Sequence, residues 1–393
     1  MTGAVIVDAV RTPLGLRNGS LSGWHPADLL AEALDAVAAR TSLDPAAVDE
    51  VVTGCATTVG EQGLNLGRNA VLAAGWPESV PATTVDRQGA SSLQAVAFAA
   101  QGVVAGAYEV AVAGGVEVMS TTPPGSWTPP GSRPFSPRLA ERYAGAGGLV
   151  PPGVAAELIA ERWGLDREEL DRYAAESRRR AREAAGAGRF RAEIVPVPGR
   201  RWDRERQAAV DLGEEVAADE GPQRPEGDLS RCKPSFRPGG RVTAGNSGPI
   251  ADGAAAVLVV SEDRLEALGM RPRARVRSVG VAGVDPLTML TGPAPATSAA
   301  LTRGGLTVAD VDRFEVDECF APVTLGWLAE HGADPGIVNT NGGAIALGHP
   351  PGCSGARLLT SLVHELARSG GRFGLVATAG IGGVATAVVV ERT

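Results

Sequence analysis

Short runs of β-branched residues alternate along the chain with Ala-rich stretches whose apolar positions recur at helical spacing. Ala4-Val-Ile-Val-Asp8 and Glu109-Val-Ala-Val-Ala113 read as buried strands, and His25 to Val37 reads as a helix. This rhythm predicts an α/β protein with a largely buried sheet. It breaks after Ser120. From there to about residue 240 the chain is rich in Pro, Gly and Arg, with one amphipathic helix predicted near Arg167 to Ala187. Such an interruption is expected to lie over a core domain, in a position suited to ligand binding. The alternation resumes at Gly253-Ala-Ala-Ala-Val-Leu-Val-Val260 and ends in Phe373 to Glu391, two strands joined by a Gly turn whose tip can reach a site.

Composition narrows the class. A chain of 393 residues, 44% hydrophobic and 21% charged, is globular and long enough for a large core. A net charge of -8 gives no electrostatic reason to expect nucleic acid or an anionic membrane as partner. No apolar run approaches the roughly 18 residues that span a bilayer, and the N-terminus lacks the pattern of a signal peptide, so a cytoplasmic location is expected. Cys55, Cys232, Cys319 and Cys353 are far apart with no CxxC spacing, which reads as reduced thiols and no metal site.

Three segments concentrate the candidate chemistry: Thr84-Val-Asp-Arg-Gln-Gly89-Ala-Ser-Ser-Leu93; Phe314-Glu-Val-Asp317-Glu-Cys319-Phe320-Ala-Pro322; and Asn339-Thr-Asn-Gly-Gly-Ala-Ile-Ala-Leu-Gly-His349-Pro-Pro-Gly-Cys-Ser-Gly-Ala-Arg357. With Gly114-Gly-Val-Glu-Val-Met119-Ser120 and Val242-Thr-Ala-Gly-Asn246-Ser247 they resemble the thiolase family over nearly the whole chain. The resemblance implies a thiolase fold: two similar αβαβα halves in a five-layered core, with an inserted loop domain. Residues 1–120 and 241–270 would form the first half, 121–240 the loop domain and 271–393 the second half. It also implies a homodimer or homotetramer, no permanently bound cofactor, and a coenzyme A thioester as substrate, with an acyl carrier protein thioester as the other candidate.

In the family a Cys at the start of a buried helix attacks an acyl thioester, and a second Cys near the C-terminus shuttles a proton. The matching positions here are Gly89 and Ala379, so both sulfurs are missing. Asp317 stands where the family has Asn, and Cys319 where it has Ala. A carboxylate can orient an imidazole, so Asp317 and His349 are read as a general base. The backbone at Gly89 and Ile381 is read as an oxyanion site. Ser247, Asn246, Met119 and Phe320 are read as substrate contacts, and Arg200, Arg201 and Arg204, or the segment around Arg231 and Lys233, as candidates for CoA phosphates.

The expectation that follows is an enzyme of specialised metabolism that acts on acyl thioesters without a Cys nucleophile. It would pass the acyl group to water, oxygen or nitrogen, the acceptor occupying the volume vacated at Gly89, and ordinary thiolase activity would be absent or very low. Two alternatives stand beside it: an inactive homologue that binds acyl-CoA or stabilises a partner subunit, and an enzyme with Cys319 as a relocated nucleophile.

Overall fold

The computed structural model describes residues 3–128, 130–224 and 227–393. Among these, twelve strands form: β1 (Ala4–Arg11), β2 (Gly15–Leu16), β3 (Glu50–Gly54), β4 (Ala82–Val85), β5 (Val110–Val118), β6 (Val197–Asp203), β7 (Ala208–Val216), β8 (Ala251–Ser261), β9 (Ala274–Gly283), β10 (Arg313–Val316), β11 (Phe373–Gly380) and β12 (Val384–Arg392). The helices are α1 (Pro26–Thr41), α2 (Leu66–Ala73), α3 (Ser91–Val104), α4 (Pro137–Tyr143), α5 (Pro152–Arg162), α6 (Arg167–Gly186), α7 (Leu265–Leu268), α8 (Pro293–Gly304), α9 (Ala321–His331), α10 (Ala344–Leu347) and α11 (Pro351–Ser369).

The strands other than β6 and β7 form one sheet in the order β10-β11-β12-β9-β1-β8-β5-β3-β4, with β2 paired to β8. β3 pairs in parallel with β4 and β5, and β10 with β11. The two halves of the sheet meet at β1 and β9, where Val5 lies opposite Arg275 and Ile6 opposite Ala274. β8 returns after the long excursion that follows β5 and inserts antiparallel between β1 and β5.

Both faces of this sheet are covered, which is why its strands are apolar runs and not alternating ones. α1 and α2 close one side of the first half around Leu29, Leu30, Leu34 and Val71. On the other half α8 and α9 pack over Phe314, Leu375 and Val389. α3 and α11 lie between the halves, with Leu93, Val96, Leu359 and Leu362 in one cluster. Small residues let these central helices touch, and Ser92 Oγ accepts the Ala356 amide across the contact at 3.0 Å. Each fully buried Leu or Val contributes about 1.5–3 kcal/mol relative to an exposed one.

The stretch after Ser120 carries more structure than its Pro and Gly content predicts. It holds α4, α5, α6 and the antiparallel ribbon β6–β7. α6 begins in a capping box, Asp166 and Glu169, and buries Leu170, Ala174, Ser177, Ala181 and Ala184 along one stripe. At the C-terminal end β11 and β12 pair from Phe373–Glu391 to Gly380–Val384. Gly382 and Gly383 turn the chain with φ of 85° and 83°, a region that favours glycine. Among the described residues no helix is long and apolar enough to cross a membrane.

Candidate active site

The three chemical segments meet because each sits where a strand or a short helix hands over to a helix. The turn Asp86 to Ala90 joins β4 to α3, Asp317 to Phe320 joins β10 to α9, and Gly348 to Pro350 joins α10 to α11. Gln88, in the first turn, holds a left-handed φ of 53°, an uncommon conformation for a residue with a side chain. Its Nε2 donates to Asp86 Oδ1 at 3.0 Å. The particular run that begins at Asn339 has a structural explanation as well. Asn339 is buried, its Oδ1 accepts the Val316 amide, and its Nδ2 donates to Val316 O and Glu318 Oε1, which fixes the end of β10. Glu318 also accepts from Tyr173 Oη and Ser177 Oγ, so it points away from Asp317 as a buried hub.

Around these turns lies a cleft of about 920 Å³. Gly89, Asp317, Cys319, Phe320, His349, Ala379, Ile381, Met119 and Ser247 all line it. Asn246 does not. It is buried, with Nδ2 on Asp171 Oδ1 and Arg241 O and its Oδ1 accepting the Thr243 amide, so it shapes the Ser247 loop from behind. That loop is laced to the other two segments: Gly248 N donates to Cys319 O at 2.9 Å and His349 N to Pro249 O at 3.0 Å. A Cβ at Gly248 would come within 2.8 Å of the His349 Cβ, so glycine there is a condition of the histidine's position.

Asp317 is almost fully buried and accepts the Cys319 amide on Oδ1 at 3.0 Å and the Ala379 amide on Oδ2 at 3.2 Å. Its Oδ1 lies 3.7 Å from His349 Nδ1. That is a charge interaction and not a hydrogen bond. The hydrogen-bonding neighbour of Nδ1 is Ser354 Oγ, at 3.1 Å, which sequence reasoning missed because it stands in the first turn of α11 as one more serine. Ser354 Oγ donates to Pro350 O at 2.9 Å, so its lone pair is what it offers to Nδ1. A carboxylate and a hydroxyl acceptor on the same side place the proton on Nδ1 and leave Nε2 as the basic nitrogen. Burial pulls the His349 proton affinity below the usual histidine value, Asp317 opposes that, and Arg357 adds to it. The ring is therefore neutral near pH 7.

The helices add a common field. α3, α9 and α11 all begin at the cleft, next to the lining residues Gly89, Phe320 and Pro351. Each N-terminus carries about half a positive charge, so the floor of the cleft favours an anion.

The cysteines and serines of these segments are held by packing, and the space at Gly89 departs from expectation. The Cys319 thiol lines the cleft, but burial first and Asp317 second push it well above the usual thiol range. Cys55 and Cys353 are buried, and both are pushed up chiefly by burial. Ser91 Oγ accepts the Arg87 amide and donates to Gln88 O, and Ser92 holds α11, so both serines are structural. The volume expected to be free at Gly89 is filled: a Cβ there would meet the Ala379 carbonyl oxygen at 2.4 Å. Arg200 and Arg201 lie on the β6–β7 ribbon, where Arg200 covers the Trp24 ring at 3.9 Å, and Arg204 bonds Asn18. The arginines that line the cleft are Arg17 and Arg224, which carried no signal in the sequence.

Comparison with known proteins places this geometry. The family described as Thiolase, N-terminal domain, matches residues 4–263, and Thiolase, C-terminal domain, matches residues 270–392. A steroid 3-ketoacyl-CoA thiolase of Mycobacterium tuberculosis is 44% identical over 401 residues, covering 100% of this chain and 95% of that protein. A 3-ketoacyl-CoA thiolase of Serratia proteamaculans is 42% identical over 399 residues and one of Bacillus subtilis 39% over 403, each covering 100% of both chains. The crystal structure of the Bacillus anthracis acetyl-CoA acetyltransferase superposes with a TM-score of 0.87 at 35% identity, covering 100% of this chain and 99% of that one.

These relatives correct the functional expectation. Full-length similarity of 39–44% to proteins named 3-ketoacyl-CoA thiolase overturns acyl transfer to water, oxygen or nitrogen in place of the ordinary reaction. The inactive-homologue reading and the relocated Cys319 nucleophile give way with it.

Proposed function

Because the chain belongs to the thiolase family, we propose that it catalyses the CoA-dependent cleavage of 3-ketoacyl-CoA thioesters and the reverse condensation. The observation that carries this reading is His349: a buried imidazole with Ser354 Oγ at its Nδ1, set at the floor of a cleft where the N-termini of α3, α9 and α11 converge. Cleavage between C2 and C3 needs a base for a thiol proton, an anion site for the oxygen that gains charge, and an acid for the departing carbon. His349 Nε2 serves as base and then as acid. The helix ends, with the backbone at Gly89 and Ile381, serve the anions. Asp317 and Ser354 are positioning residues that hold the imidazole.

The substrate parts follow the walls. Met119, Ser247 and Phe320 flank the thioester arm, and Arg17 and Arg224 suit the phosphates of CoA. Trp127, Phe236, Phe320 and Leu290 suit a bulky apolar acyl chain. Free CoA is the thiol, ahead of a carrier protein. Residues 1–120 with 241–270, 121–240 and 271–393 are read as the two halves and the loop domain, in a cytoplasmic homodimer or homotetramer. This member is read as divergent at four places: Gly89 and Ala379 at the family thiol positions, Asp317 in place of Asn and Cys319 in place of Ala.

The test is consumption of a panel of 3-ketoacyl-CoA thioesters with and without CoA, with the acyl-CoA products identified. Turnover that requires CoA and yields acetyl-CoA with the shortened acyl-CoA is expected. A folded protein that binds CoA yet cleaves no member of the panel in a CoA-dependent way would overturn the reading.

A further inference from the structure

Two basic side chains reach the cleft from segments far apart in the chain. Arg17 follows β2, Arg224 lies in the connection after β7, and both are exposed and line the cleft. One carboxylate, that of Glu220, ties the two segments together. Its Oε2 accepts the Leu16 amide at 2.7 Å, and its Oε1 accepts the Ser20 amide at 2.7 Å and the Ser20 hydroxyl. The loop from Leu16 to Ser20 therefore closes around Glu220, with Arg17 inside it. A Cβ at Gly19 would run into Glu220 Oε2, so the loop meets the carboxylate directly. Between those bonds Arg17 N donates to Ile250 O at 3.1 Å and Asn18 N to Ser120 Oγ at 3.1 Å. The direction in which Arg17 leaves the backbone is thus fixed from several sides.

The segment that carries Arg224 is fastened to the same region. Asp219 accepts Arg11 Nη1 and Nη2 at 2.7 and 2.9 Å and the Leu14 amide at 2.8 Å, while Glu220 N donates to Leu14 O at 3.1 Å. Glu220 then opens the short turn Gly221–Gln223, and Arg224 N donates to Gly221 O at 3.1 Å. A Cβ at Gly221 would run into Ala346 O, so this turn lies directly on α10, the helix that precedes His349.

We propose that Glu220 is a positioning residue for the nucleotide end of CoA: by holding the Leu16 to Ser20 loop against the turn before Arg224, it sets Arg17 and Arg224 as a pair that grips the phosphates. The proposal rests on the reading of the cleft as a site for CoA thioesters. CoA carries a diphosphate and a 3′-phosphate, and guanidiniums meet phosphate oxygens through charge-assisted hydrogen bonds. Two guanidiniums on loops already fixed lose less freedom on binding than two on loose ones.

The test is titration calorimetry of CoA with the parent protein and with Glu220→Gln, beside initial rates on acetoacetyl-CoA. Glutamine keeps the shape but has one acceptor oxygen, so either the Leu16 or the Ser20 amide faces an N–H. CoA is expected to bind about tenfold more weakly. KM for CoA should rise by the same factor with kcat unchanged, because the contacts that hold His349 and Asp317 are untouched. In a protein already carrying Arg17→Ala and Arg224→Ala, adding Glu220→Gln should change CoA affinity about twofold at most. A tenfold loss in that background as well would overturn the proposal, since Glu220 would then act through the fold and not through the arginines. Ser20→Ala removes one donor to Glu220 and should weaken CoA in the same direction by a smaller factor; unchanged affinity in both Glu220→Gln and Ser20→Ala would also overturn it. CoA binding that follows the expected pattern without CoA-dependent cleavage of acetoacetyl-CoA would overturn the thiolase reading and leave the positioning role standing.

Discussion

Gly89→Ala is the smallest change that probes the floor of the cleft. The added methyl would stand 2.4 Å from the Ala379 oxygen, inside the 3.0 Å that Cβ atoms essentially never cross. The obstacle is main chain and cannot rotate away. Gly89 is not among the residues with positive φ, so the cost is steric and not one of backbone conformation. Overpacking of this kind costs about 1–3 kcal/mol, and the stiffer unfolded chain returns about 0.4–1 kcal/mol, which leaves a net loss of about 1–2 kcal/mol. Unfolding entropy of about 2 cal/mol/K per residue converts this to a fall in Tm of about 1–3 °C for a chain of this length. Thermal unfolding followed by far-ultraviolet dichroism measures it. The same displacement pulls the Ala379 amide from Asp317, so kcat falls more than KM rises. Gly89→Cys carries the same steric cost. A Gly89→Ala protein as stable as the parent would refute the argument that the Ala379 carbonyl excludes a side chain.

Other outcomes follow from the same geometry. His349→Ala is expected to lower kcat by about 10²–10⁴-fold with CoA binding retained, as calorimetry would show. The neutral ring is the working form and burial holds its proton affinity below the ordinary value of about 6.5, so kcat stays level down to that pH and falls only below it. Asp317→Asn removes the charge that favours the protonated ring, and a pH–rate profile should place the acid limb lower still; an unmoved or raised limb would contradict the assigned role. Ser354→Ala frees the Nδ1 proton to shift to Nε2 and should lower kcat with little change in KM, measured under saturating CoA. Asp252 is buried against Ser120, and burial raises its carboxyl to about 7. The folded state therefore holds a proton that the unfolded state releases, and stability declines as pH rises from about 4 to 7. Asp252→Asn should flatten that decline in denaturant titrations across the range.

Much of this was readable in the chain. β1, β5, β8 and the β11–β12 hairpin follow from apolar runs bounded by Gly and polar residues, and α1 and α6 follow from their period. Both faces of the sheet are covered, so apolar runs alone were enough. The cleft residues His349, Asp317, Cys319, Phe320, Ser247 and Met119 were legible because the segments that hold them resemble those of the thiolase family. Three features were not. Ser354 is one of many serines, and only the path of α11 brings its hydroxyl to Nδ1. Asn246 looked like a ligand contact because it neighbours Ser247, yet its amide is consumed by Asp171 and the loop behind it. The fill at Gly89 depends on how close β11 approaches the turn ahead of α3, a long-range distance that no local pattern encodes.

Positions 89, 317 and 379 are coupled through one strand end. Ala379 places its carbonyl against Gly89 and its amide on Asp317, and Asp317 lies beside the Nδ1 side of His349. A larger residue at 89 would displace that carbonyl and with it the amide that fixes the carboxylate. An uncharged residue at 317 would leave His349 with Ser354 as its orienting partner on that side. The cleft is thus organised to hold a base and to stabilise an anion, with the N-termini of α3, α9 and α11 supplying the positive field.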